Sequence, residues 1–168
     1  KKLYLTKDER GHTWKEFRNK QDRVVERAQG SRVYVYKWAG DSLWPKEIRL
    51  KQDGKISKIS RLIETSAASA TYEVTNSHQR PALSPYYEGY TIVREVYGPG
   101  VWLQYQELDP LASRGERIRL YFDVSGIPIY STALGVDGKE RLKDVIKAEV
   151  SGPTQWLLFI DSGKWKGP

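Results

Sequence analysis

One stretch constrains this chain more than any other: Tyr86 to Leu108, YYEGYTIVREVYGPGVWLQYQEL. Two β-prone runs flank Gly98-Pro99-Gly100, a combination that reverses the chain tightly, so the segment predicts a β-hairpin. Along its second run Val101, Leu103 and Tyr105 are expected on one face and Trp102, Gln104 and Gln106 on the other. Packing alone gives no reason for an indole among glutamines, which makes Trp102 the side chain to follow.

The neighbouring segments extend this hairpin into a sheet. Arg32 to Trp38 (RVYVYKW) reads as a strand with Tyr34, Tyr36 and Trp38 on the face of Arg32. KEIRL leads into Asp53-Gly54, a two-residue hairpin signal because both turn positions favour positive φ. Ile56 and Ile59 return from it, and TYEVT (71–75) adds a short strand. Residues 76–85, with two prolines and no periodicity, read as a long loop. ERIRLYFDV, IPIY and QWLLFI (155–160) add further strands, and the tail DSGKWKGP reads as mobile. Residues 142–150 fit a helix or a strand; the alternation of Leu142, Ile146, Ala148 and Val150 favours the strand. Ahead of the sheet, Thr13-Trp14-Lys15-Glu16 fits a capping box. Trp14, Phe17, Val24, Val25 and Ala28 follow at helical spacing, with Gly30 as the stop, so an amphipathic helix is expected there. The sum is one domain over 1–168 of the α+β class: an N-terminal amphipathic helix packed on a curved, mainly antiparallel, half-barrel-like sheet.

Composition narrows the function classes. The 6 Trp and 11 Tyr supply enough buried area for a folded core although only 39% of residues are hydrophobic. No run approaches the roughly 18 apolar residues of a membrane helix. With no cysteine, disulfides, thiolate metal sites and cysteine nucleophiles are excluded. The chain starts at Lys1 rather than Met, which leaves room for a targeting or lipid-attachment segment ahead of it. The net charge of +7 invites an anionic partner, nucleic acid included, but Lys and Arg are scattered along the chain.

Catalytic signals are sparse. His12 and His78 are the two histidines, and His78-Gln79-Arg80 is the best place for metal-independent ribonuclease chemistry. Glu95 with Glu88, or with Glu107 across the hairpin, would make an acid/base pair only if both faced one cleft at roughly 5–9 Å. HExxH, Walker-type and GxSxG patterns are absent. The aromatics carry more weight, since a concave sheet lined with them holds acyl chains or sugars, although most such residues serve as core.

From Arg117 to Gly152 a strand ends in Asp123, Gly126 and Pro128 turn it, the next strand reaches Asp137-Gly138, and a last strand follows. In that order the segment resembles the closing part of the outer-membrane lipoprotein-sorting (periplasmic lipoprotein-carrier) family. The resemblance implies a half-barrel whose concave apolar face shelters acyl chains or docks a partner at the cell envelope, without catalysis. The expected function is therefore a non-catalytic, exported or envelope-associated binding module. Its ligand would be an apolar small molecule or lipid, held by Tyr34, Tyr36, Trp38, Tyr90, Trp102 and Tyr105. No catalytic residue, metal or cofactor is assigned. The alternatives are a basic nucleic-acid binder or ribonuclease, and a protein-interaction module acting by sheet-edge pairing.

Overall fold

The computed structural model describes residues 2–7, 11–150 and 156–162, and the side chains of 2–7 and 11–146. Its strands are β1 (Lys2–Lys7), β2 (Thr13–Arg18), β3 (Val24–Gln29), β4 (Arg32–Lys37), β5 (Glu47–Gln52), β6 (Lys55–Thr65) and β7 (Ala70–Thr75). There follow β8 (Ala82–Leu83), β9 (Tyr90–Gly98), β10 (Trp102–Pro110), β11 (Arg117–Phe122), β12 (Pro128–Leu134), β13 (Glu140–Val150) and β14 (Trp156–Ser162). They form one 14-stranded antiparallel sheet in which each strand pairs with the next in sequence. The exception is the short β8, which shares the flank of β9 with β7. The sheet does not close on itself.

The expected N-terminal helix is absent, and the fold is all-β rather than α+β. Residues 13–30 form the hairpin β2–β3 instead. Their apolar spacing fits a helix, but Thr13, Val24 and Val25 are β-branched and favour extended backbone. Between the strands, the Asn19 side chain accepts the backbone N–H groups of Gln21 and Arg23, and Asp22 takes a positive φ of 60°. This local turn chemistry breaks the helix in the middle. Gly30, expected to stop a helix, instead sits at φ 59° in the tight turn between β3 and β4.

Other elements appear where turn residues announce them. Asp53-Gly54 (φ 52° and 78°) joins β5 to β6. Pro99-Gly100 turns β9 into β10, with Val101 N–H bonded to the Gly98 carbonyl at 3.0 Å. The ambiguous 142–150 segment is strand. The tail beyond Ser162 lies outside the described residues.

Side chains on the inner face form two apolar clusters. One gathers Val74, Tyr87, Ile92, Leu108, Ile118, Leu120 and Phe122. The other gathers Val24, Tyr36, Trp44, Ile48, Tyr72, Tyr97 and Val101, with Leu103 touching both. Between them lies a charge. Glu95, with no exposed surface, accepts hydrogen bonds from Lys58, Ser60, Tyr97 and Gln106. The outer face is polar. Registered neighbours along it read Lys37, Glu47, Arg61, Glu73, Arg94, Glu107 and Arg119, alternating in sign from β4 to β11.

The sheet curls until its distant parts touch. The β9–β10 tip reaches β3, and the turn after β11 reaches β4, where Gly126 lies against Arg32 and Tyr34. That closure builds the site.

Candidate functional site

On β2, alternation turns Trp14 and Glu16 inward, and antiparallel register sets Arg27 of β3 opposite Glu16. Arg27 Nε donates to Glu16 at 2.9 Å. Its Nη2 donates to the Gly100 carbonyl at 2.6 Å and its Nη1 to the Val101 carbonyl at 3.1 Å. One buried guanidinium thus ties β2, β3 and the β9–β10 tip together. The tip is strained where it is tied: Val101 is β-branched yet holds φ at 61°, a conformation costing about 1–3 kcal/mol. Charge-assisted bonds to both carbonyls offset that cost.

Trp102 follows at once. Its ring lies under the Arg27 guanidinium, 4.0 Å from centroid, and meets Trp14 edge-on at 6.0 Å and 82°. It is half-buried. Arg27 also stands 5.5 Å over Tyr36, whose hydroxyl is pushed up to about 12 by burial, the nearby guanidinium opposing the shift. The other Glu16 oxygen accepts from Arg18, which lies over the Tyr4 ring at 4.4 Å.

Two clefts flank this Glu16–Arg27 pair. One, of about 430 Å³, lies between β1–β2 and the hairpin tip, with Trp102, Trp14 and Val124 as its apolar wall and Lys7 and Arg18 among its cations. The other, of about 370 Å³, runs along Arg23, Trp38 and Leu43 and contains as many acids as bases.

Of the six aromatics expected to line one groove, Tyr34, Tyr36 and Trp102 meet at one small inner gap, and the other three lie elsewhere. Trp102 walls the first cleft. Trp38 borders the second, its Nε1–H donating to the Val24 carbonyl at 2.8 Å. Tyr34 and Tyr36 face an inner gap of about 20 Å³, room for about one water and far too little for an acyl chain. Tyr90 packs on Tyr87 in the other cluster. Tyr105 lies on the outer face, in a row with Tyr121 and Tyr130 and beneath Arg119. A bulge between Leu103 and Tyr105 shifts the register and breaks the alternation expected there, returning Gln106 to the inner face beside Glu95.

The catalytic candidates do not assemble. Glu95 is buried inside, Glu107 bonds Arg119 outside, and Glu88 is exposed in a loop. His78 sits in an exposed turn closed by the Asn76 side chain. Among the described residues no group of three or more His, Asp or Glu is placed to hold a metal. The residues that sequence reasoning missed are Glu16, read as part of a helix capping box, and Arg18 and Arg27, which the expected helix would place on its polar face. Their strand signal is the i, i+2 pairing of Trp14 with Glu16 beside β-branched neighbours. Comparison with protein-family models, curated proteins and solved structures finds no match for the chain.

Proposed function

We propose that the chain is a binding module rather than an enzyme, and that it seats a small anionic amphiphile against Trp102 in the 430 Å³ cleft. The observation that carries this reading is the pairing of a fixed indole wall with cations at the same opening. Trp14 and Arg27 hold the Trp102 ring before any ligand arrives, so little side-chain freedom is lost on binding. Lys7 and Arg18 supply positive charge, while Glu16 is occupied by two guanidiniums and repels an anion only weakly. With its oxygens committed to these guanidiniums, Glu16 is poorly placed to act as a base.

The apolar-ligand expectation thereby moves from the interior of the sheet to its rim, because the inner gap is too small for an acyl chain. A setting at the cell envelope, where such amphiphiles occur, belongs to the same proposal. A nucleic-acid partner suits this surface less well, since the outer-face row alternates in sign instead of forming a positive stripe. Calorimetric titration with decanoate and with decanol, below their aggregation thresholds, tests the reading. Decanoate is expected to saturate, with decanol at least about tenfold weaker, roughly 1.4 kcal/mol. Trp102→Ala should abolish binding and Arg18→Gln should narrow the difference. Equal affinity for both probes, or no saturable heat, would overturn it.

A further inference from the structure

The first strand offers a second surface, at its free edge, which shares Lys7 with the cleft. β1 pairs with β2 through six residues in unbroken register, from Lys2↔Arg18 to Lys7↔Thr13. Among the described residues no strand lies on its other side. Edges of this kind are ordinarily blunted by a proline, a bulge or an inward charge. β1 (KLYLTK) has no proline and no bulge, and Leu3 and Leu5 stand 53% and 67% exposed on one face. Its charges lie at the ends, Lys2 and Lys7, with Arg18 opposite Lys2 and Lys15 opposite Leu5 on the next strand.

We infer that β1 is a docking edge for an extended, acidic segment of a protein partner, which adds antiparallel to the sheet. Main-chain bonds would supply affinity and alternate side chains specificity. The charges choose the occupant. A second copy pairing through β1 would bring four lysines and no acid to the seam, because KLYLTK carries no carboxylate, and like charges brought close together are destabilising. An incoming strand with acidic residues at its ends and apolar residues beside Leu3 and Leu5 makes two favourable pairs instead.

The full chain with the peptides Ac-ETVTVE-NH₂ and Ac-KTVTVK-NH₂, followed by amide hydrogen exchange, tests this. The acidic peptide is expected to slow exchange of β1 amides at least fivefold, and the basic peptide to leave them unchanged. The Lys2→Glu/Lys7→Glu variant, altered only at exposed positions, should reverse that preference. Protection of the β1 outer amides without peptide, equal response to both peptides, or a β1-dependent dimer in sedimentation would each overturn the inference.

Discussion

Glu95 is a carboxylate with no exposed surface at the centre of the sheet, and its environment decides its charge. Burial by itself would raise its pKa. The Lys58 charge and the hydrogen bonds from Lys58, Ser60 and Gln106 outweigh that and hold it below the ordinary value. For Lys58, burial would lower the pKa, but the Glu95 charge reverses the sign and raises it. The pair is thus ionised in the folded state. Removing one partner strands the other: Lys58→Met is expected to cost about 3–5 kcal/mol in urea unfolding, and Lys58→Met/Glu95→Leu much less. The pH dependence follows. A depressed carboxyl contributes stability above its unfolded value, near pH 4.3, and loses it as pH falls through the folded pKa. A raised ammonium contributes below about pH 10.4 and loses its share as pH climbs through its own folded value. The pair's contribution should therefore be flat between these limits and fall on both sides. The double variant should make both slopes shallower, the remainder coming from Glu47 and Glu140 in acid and from buried tyrosines such as Tyr97 in alkali.

At the scale of elements, the outer-face charges act on register. Each interior member of the Lys37–Arg119 row faces opposite charges on both adjacent strands, and slipping one strand by a residue would send that strand's charge to the inner face. Glu73 sits between Arg61 and Arg94. Glu73→Lys is expected to destabilise by about 1 kcal/mol at low salt, and the loss should shrink in 1 M NaCl because exposed charges are screened there. A salt-independent loss would point to packing instead. Elements were readable from sequence where turn chemistry is local: Asp53-Gly54, Gly98-Pro99-Gly100 and Asp137-Gly138 each mark a reversal. The β2–β3 hairpin was not. Its turn rests on Asn19 bonding forward to the backbone and on Asp22 with positive φ, in the polar run NKQDR that suits a helix surface equally well. The strand β1 escaped notice too, with no Asp-Gly turn after it.

At the scale of the molecule, the decisive contacts are remote. Arg27 and Gly100 lie 73 residues apart in sequence, so neither alternation nor turn chemistry could place them together. The candidate site was therefore legible only in Trp102, the indole that packing did not explain. Its partners Trp14, Glu16 and Arg27 emerge once the sheet curls and brings the hairpin tip to β3. Curling also leaves the inner face filled by two apolar clusters, which puts an opening for a ligand at the rim. The central claim, that the docked tip and β2 together form a ligand wall, is tested most directly by the tryptophan indole N–H signals in a ¹H–¹⁵N spectrum during titration with decanoate. The Trp102 and Trp14 signals should move together and saturate while that of Trp44, buried in the core, stays in place. A Trp102 signal that never moves, or indoles that all drift alike, would contradict it.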